Sequence, residues 1–417
     1  MQSNYDVRND ASVLVQDAAG AGVTAEYRGL ILRSVFQPIG SVVHGNVLGY
    51  EALIRVTTPE GELMAPPVAF KEAEDAGELL LLNQIVTDIH LANFSCQDPG
   101  DCWLFLNINT PVLLPMITQS GNLSQIAARH RIAPARIVIE VLEQDVIDNE
   151  SFDLCLRQYK EAGFMVAMDD FGKGWSNLDR ILNFFPSIVK FDLSLVAQGR
   201  ANQKVQRAYR HLTLLLHEVG IMVLAEGIES VGDASFMVEA GVDFLQGYWL
   251  ARPHPSTRVA QVADRIHELR TVYGERAFHS DQVEYDIYTK VEQALRRASE
   301  VYAATGDISR AAAVFHAMPC ARRLVVLDQD GFDVGAVSAD AAVPDSGRRA
   351  QLGPLLPGRN SRFTHRKYFR DALRSPDQVH FASPVYSLID GASSDVAAKA
   401  VNREGRLFVL CGVYLRY

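Results

Sequence analysis

The chain has 417 residues, 48% hydrophobic and 22% charged, with a formal net charge of −10. This balance describes a folded protein of about two domains and excludes a disordered or fibrous chain. The negative sum argues against broad binding to DNA, which needs clustered Lys and Arg. No apolar run reaches the roughly 18 residues of a membrane span, and the start lacks the basic and apolar parts of a signal peptide, so a cytoplasmic location is expected.

Residues 1–27 are rich in Ala, Gly, Asp and Asn and read as a loose tail or short leading helix. Two apolar stretches at 35–39 and 45–51, joined by a short turn containing Gly and His, predict an antiparallel hairpin, so the first strand runs against the others. Seven apolar runs then end on polar groups: 47–51 on Glu51, 103–107 on Asn107, 137–140 on Glu140, 165–170 on Asp169 and Asp170, 188–192 on Asp192, 221–226 on Glu226 and 242–246 on Gln246. The intervening segments are long enough for helices, as successive parallel strands require. A TIM-like (β/α)8 barrel over 28–268 explains the pattern, because its strand C-termini converge on one face.

Within the run at 165–170, adjacent side chains on a strand point to opposite faces, so Asp169 and Asp170 act together only if the strand has ended there. Gly172 and Gly174 follow and permit a loop that curls over whatever the acids hold. The competing reading makes one Asp a cap for a helix starting near Ser176 and leaves the other solvated.

Residues 269–304 read as a helical connector, with Tyr285, Tyr288, Val291, Ala294, Leu295, Ala298 and Val301 forming a stripe expected to pack within the chain, with a dimer seam as the alternative. Residues 305–417 suit a small α+β domain: a hairpin at 323–338 with an Asp-Gly turn, a short helix at 365–373 and strands at 379–386 and 407–415. Cys96, Cys102, Cys155, Cys320 and Cys411 lack Cys-x-x-Cys spacing, so buried thiols are expected in place of a disulfide framework or zinc site.

The rim donors Glu51, Asn107, Glu140, Asp169 and Asp170 offer oxygen alone, without His or Cys, and such hard ligands select Mg²⁺ or Mn²⁺ over zinc. Two such ions activate a water and clamp a phosphoryl group. With Lys190 as a fixed positive charge and Glu226 as a base, phosphodiester hydrolysis is the reaction that this set suits best.

The motifs resemble those of the EAL-domain phosphodiesterases of bacterial cyclic di-GMP signalling. Glu51-Ala52-Leu53 is the namesake triplet, set between Gln37-Pro-Ile and Arg55. Asn107-Ile-Asn-Thr-Pro, Glu140-Val-Leu-Glu143, Asp169-Asp-Phe-Gly, Val189-Lys-Phe-Asp192, Ala225-Glu-Gly-Ile-Glu229 and Gln246-Gly-Tyr follow in the family's order. The resemblance implies two metal ions held by Glu51, Asn107, Glu140, Asp169 and Asp170. It implies Glu226, Lys190 and Glu51 as the catalytic groups, with Glu226 activating the water. Arg55, Gln37, Asp192, Gln246 and Glu229 are implied on the substrate side, and Glu143 as a brace for the loop after the Asp pair. The implied product is linear pGpG, and the implied assembly a homodimer. Each of Arg55, Glu143, Glu229 and Lys190 has a plainer reading as a rim, capping or solvated charge.

Lys173, Trp175 and Asn177 depart from the family's loop pattern, which motivates the alternative of a cyclic di-GMP receptor that binds without cutting. The final portion resembles PAS-like or Cache-type sensor modules through Arg366-Lys-Tyr368-Phe369 and Ser383-Pro-Val-Tyr386. That likeness implies Arg366, Tyr368 and Tyr386 as candidates for binding a small carboxylate.

Overall fold

The computed structural model describes residues 15–16, 22–119, 121–142, 149–171, 181, 183–192, 194–195, 197, 202–259, 261–339, 361–387 and 392–415. Two compact units divide the chain, Met1–Glu275 and Arg276–Tyr417.

The first unit carries an eleven-stranded sheet. Its strands are β1 (Val15–Gln16), β2 (Val23–Tyr27), β3 (Leu30–Ser41), β4 (Asn46–Thr57), β5 (Leu63–Met64), β6 (Trp103–Asn107), β7 (Ile137–Leu142), β8 (Met165–Phe171), β9 (Ile188–Phe191), β10 (Met222–Ala225) and β11 (Phe244–Leu245). Eight of them run in the order β3-β11-β10-β9-β8-β7-β6-β4, and pairing of β3 with β4 closes the ring. From β4 round to β11 the neighbours are parallel. β3 meets both neighbours antiparallel, as the hairpin signal predicts.

Alternation along the strands sorts the apolar residues into two cores. Ile39, Phe105, Val138, Ala167, Ile188, Leu224 and Phe244, one from each of seven barrel strands, form a cluster of their own. Their chain neighbours Leu104, Leu106, Ile137, Ile139, Val166, Val189, Val223 and Leu245 belong to the larger cluster that includes helix residues such as Leu91, Phe94, Leu156 and Leu216. Side chains of period two thus fill the barrel interior and cement the helices outside it.

Three expectations need correction. Residues 23–27 are not a loose tail: they form β2, hydrogen-bonded to β3, with Ala25 and Tyr27 buried against Leu32 and Ile89. Glu51 does not end its strand, because the β3–β4 hairpin continues to the Ile31–Thr57 pair. Nor does β8 end at the Asp pair. It runs to Phe171, with its register against β9 shifting between Met168 and Phe171 and Asp170 at φ 59°. That left-handed residue makes a bulge, the device by which a strand re-aims a side chain beside a site. Asp is among the few residues other than Gly that enter this region readily.

In the second unit, five antiparallel strands lie in the order β13-β12-β16-β15-β14. They are β12 (Ala321–Asp328), β13 (Asp333–Ser338), β14 (His380–Ser387), β15 (Ala392–Arg403) and β16 (Arg406–Tyr414). The Asp-Gly turn is present, with Gly331 at φ 80°. Helix Ile308–His316 packs Phe315 into one cluster, and helix Lys367–Arg374 packs Tyr368 and Phe369 into another. The connector is longer than its apolar stripe suggests, a single helix from Gln261 to Thr305. Val291, Leu295 and Ala298 join the second unit's core, while Tyr285 stays 67% exposed. Three cysteines are buried, but Cys102 is half-buried and Cys96 exposed, so that expectation holds only in part. Among the described residues no helix is long and apolar enough to cross a membrane.

Candidate active site

Parity along the strands puts the polar residues on the barrel's inner face. Asn107 lies two residues beyond Phe105, Glu140 beyond Val138, Asp169 beyond Ala167, Lys190 beyond Ile188, Glu226 beyond Leu224 and Gln246 beyond Phe244. On the antiparallel β3 the relation reverses, and Gln37 precedes Ile39 by two. One step along each strand therefore exchanges an apolar layer for a polar one. Glu51 joins this layer by pairing with both Gln37 and Phe105.

Lys190 is the centre of the layer, only 1% exposed. Its Nζ lies 2.5 Å from Glu140 Oε1, 2.6 Å from Glu226 Oε1 and 3.5 Å from Asp169 Oδ1. Glu51 is held separately: Asn107 Nδ2 donates to its Oε1 at 2.8 Å and Gln246 Nε2 to its Oε2 at 2.6 Å. Gln246 also donates to Gln37 Oε1 at 3.3 Å, and Gln37 donates to the Ala251 carbonyl at 3.3 Å. Asp169 Oδ1 accepts the Asp170 backbone N–H at 2.8 Å.

These surroundings shift the acids in different directions. Burial pushes Glu140 well above the usual carboxylate range, Glu51 adds to that, and Lys190 only partly opposes it. Glu226 is likewise raised by burial, to about 8, against the pull of Lys190. Asp169 is raised by burial too. Burial would also raise Glu51, but the Lys190 charge and the hydrogen bonds from Asn107 and Gln246 bring it below its ordinary value. Burial disfavours the Lys190 ammonium, yet the carboxylates around it, Glu140 foremost, hold it well above its usual range.

One ammonium thus faces Glu51, Glu140, Asp169 and Glu226, with Asp170 adjoining. Among the described residues the Glu140 carboxyl takes no N–H donor apart from the Lys190 ammonium, and it lies against that of Glu51. A surplus of buried carboxylate oxygen is what hard divalent cations satisfy. Among the described residues no three acidic, His or Cys side chains yet enclose an ion, and the ammonium stands between three of the acids. The residue types fit Mg²⁺ or Mn²⁺; the spacing in this structure is set by Lys190.

Beside the layer lies a cleft of about 850 Å³, lined by Glu51, Arg55 and Asn107 with Phe70, Val86 and His90. Arg55 donates to the Ile54 carbonyl at 3.0 Å. Asp192 Oδ1 accepts the Ser194 N–H at 2.8 Å, a cap-like bond at the end of β9. Glu229 is exposed, and its backbone N–H donates to Asp233 Oδ2 at 3.2 Å, beside the Ser230–Asp233 capping box. Among the described residues no hydrogen bond or ion pair joins its side chain to the cluster. Glu143 and the loop carrying Gly172, Lys173, Gly174, Trp175, Ser176 and Asn177 lie outside the described residues. Sequence reasoning missed His90, because a histidine on the apolar helix Leu79–Cys96 carries no motif.

A model of the EAL domain matches residues 29–253. The chain is 28% identical over 234 residues to Signaling protein YkoW of Bacillus subtilis, covering 54% of this chain and 28% of that protein. It is 26% identical over 215 residues to Cyclic di-GMP phosphodiesterase PdeR of Escherichia coli, covering 51% of this chain and 32% of that one. The chain therefore spans about a third or less of these two relatives. The Bacillus subtilis YkuI protein, with an EAL domain, in complex with substrate c-di-GMP and calcium, superposes with a TM-score of 0.74 at 20% identity. That likeness covers 92% of this chain and 96% of that one, and it shows a shared fold. With the family model matched over more than half its length, on a closed barrel whose polar layer carries the Glu51-Ala52-Leu53 triplet, the chain belongs to the EAL domain family.

Proposed function

We propose that the protein hydrolyses one phosphodiester of cyclic di-GMP to give linear pGpG, using two divalent cations, Mg²⁺ or Mn²⁺. The observation that carries this reading is the inner polar layer, where buried carboxylates outnumber their single ammonium partner. The naming of PdeR as a cyclic di-GMP phosphodiesterase and of c-di-GMP and calcium with YkuI supports the choice of substrate and of divalent ions.

Glu51, Asn107, Glu140, Asp169 and Asp170 would hold the ions. Bound cations would lower the pKa of a coordinated water and neutralise charge on the phosphoryl oxygens. Glu226, half-buried beside Lys190, accepts the proton of the attacking water. The water oxygen bonds to phosphorus, the P–O3′ bond breaks, and the leaving O3′ takes a proton from solvent, while Glu226 returns its own proton to solvent afterwards. Lys190 stays charged throughout and keeps Glu140, Asp169 and Glu226 within reach of one another. Gln246 and Asn107 hold Glu51 ionised and oriented. Arg55, in the cleft beside Glu51, suits a phosphate oxygen, with Gln37, Asp192 and Glu229 on the substrate side.

We place this activity in the barrel and assign the second unit a PAS-like or Cache-type regulatory role. Arg366 and Tyr368 are its ligand candidates, with Tyr386, whose side chain lies outside the described residues. A cytoplasmic location and a homodimer complete the proposal. Purified protein incubated with cyclic di-GMP and Mg²⁺ or Mn²⁺ should release pGpG, and Glu51→Ala or Glu226→Gln should abolish release. Binding without cleavage under both metals would leave a receptor in place of an enzyme.

A further inference from the structure

His90 is 4% exposed and lines the same cleft as Glu51, Arg55 and Asn107. A histidine beside Ile85, Val86, Ile89 and Leu91 is ordinarily a core filler, but a chain of hydrogen bonds sets this one apart. The Val23 N–H donates to Asn93 Oδ1 at 2.7 Å, which fixes the oxygen end of that amide. Asn93 Nδ2 must then donate: the Val23 and Ile89 carbonyls accept at 2.7 and 2.9 Å, and Ser34 Oγ at 3.3 Å shares one of its two protons. Ser34 Oγ, on the accepting side of Asn93, lies 2.8 Å from His90 Nδ1, within reach for its hydroxyl to donate there.

Burial keeps the imidazole neutral, lowering its pKa to about 3 against a smaller upward pull from Glu51. A neutral ring accepting at Nδ1 carries its proton on Nε2. Nε2 has no partner among the described residues, yet it is not among the sealed-in polar atoms left without one. The slight exposure of His90 therefore opens on the cleft, and with Nδ1 accepting from Ser34 the ring atom facing that space is a donor.

We infer that Ser34 donates to His90 Nδ1 and that His90 is thereby a specificity-determining residue whose Nε2–H donates to O6 of one guanine base seated against the apolar wall of Ile54, Phe70 and Val86. The inference rests on the cyclic di-GMP reading and extends it to the choice of base. Guanine offers an acceptor at O6 where adenine offers the N6 amino donor. A donor facing a donor leaves both unpaired, which is how such a site rejects the wrong base.

The test is equilibrium binding of cyclic di-GMP and cyclic di-AMP to the full chain, measured beside pGpG release. Wild type should favour cyclic di-GMP by at least about tenfold, the worth of one hydrogen bond of about 1.4 kcal/mol. His90→Leu should weaken cyclic di-GMP about tenfold and leave cyclic di-AMP unchanged, whereas His90→Gln, which retains a donor, should keep most of the preference. Equal weakening of both ligands by His90→Leu, or no weakening of cyclic di-GMP, overturns the inference. If that variant does not fold, the ligand side decides: a dinucleotide built with 2-aminopurine, which lacks O6, should bind wild type about tenfold more weakly, and equal binding overturns the inference. Selectivity that depends on His90 without pGpG release sinks the phosphodiesterase reading alone. Release of pGpG with selectivity indifferent to His90 sinks this one alone. Binding of neither dinucleotide sinks both.

Discussion

Replacing Lys190 by Met keeps the side chain's length and removes its charge from a place that is 1% exposed. Glu140, Glu226 and Asp169 would then face one another with no cation between them, at the positions that now lie 2.5, 2.6 and 3.5 Å from Nζ. Removing one partner of a buried ion pair costs about 3–5 kcal/mol, because the other charge stays buried and uncompensated. For a unit of this size each kcal/mol lowers the melting temperature by about 2–4 °C, so a fall of about 6–20 °C is expected without metal. The two units need not unfold together, so the probe must report on one. Trp103, Trp175 and Trp249 are the three tryptophans of the chain and all lie before residue 276, so their emission follows the barrel unit. Millimolar Mn²⁺ should restore most of the loss, since divalent charge takes over the task of the ammonium. A melting temperature within about 2 °C of wild type without metal would refute the charge argument. A deficit that Mn²⁺ leaves untouched would refute the claim that these acids serve cations.

The remaining predictions concern other parts of the barrel. The folded-state pKa of His90 is lowered to about 3, so its contribution to stability is present above its unfolded value near 6.5 and is lost as pH falls towards 3. The urea midpoint of His90→Gln should therefore fall less steeply than that of wild type between pH 6 and 4, where the difference approaches about 1.4 kcal/mol per pH unit. Parallel curves would contradict the neutral, buried state. Gly247→Ala should destabilise the barrel by about 1–3 kcal/mol and slow pGpG release, because its Cβ would strike the Ile228 backbone, which cannot yield as a side chain can. Full activity with unchanged melting would exclude that close approach. Gln246→Leu removes the 2.6 Å donor to Glu51 and should lower kcat/KM for pGpG release, and an unchanged value would exclude its role in orienting Glu51.

How legible the site was in the sequence depended on whether its residues repeat a position. Asn107, Glu140, Asp169, Lys190, Glu226 and Gln246 each follow an apolar residue by two on a parallel strand, so a barrel lines them up without any knowledge of distances. Lys190 was legible as a rim charge, but its central place among the acids was not, because the distances come from pairing register. Glu51 looked like a strand end, since nothing in residues 46–57 reveals that the hairpin keeps pairing to Thr57. β2 was hidden for a related reason: a five-residue strand outside the barrel ring is stabilised by Asn93 and the helix beneath it, both distant in sequence.

Asp170 and His90 show where reading by periodicity stops. Period two puts neighbours on opposite faces, so two adjacent acids seemed to require a strand that had ended, whereas the chain keeps the strand and places Asp170 at φ 59°. An intrinsic rule was broken at one residue, beside the site, and the β8–β9 pairing resumes at Phe171. His90 breaks no rule, which is why it passed unnoticed. Its significance comes from Ser34, 56 positions earlier, and from the orientation that Val23 imposes on Asn93. A local pattern can specify which side chains enter the barrel. Only the assembled hydrogen-bond network shows which atom of a ring is already engaged by Ser34 and which is left for a purine edge to meet.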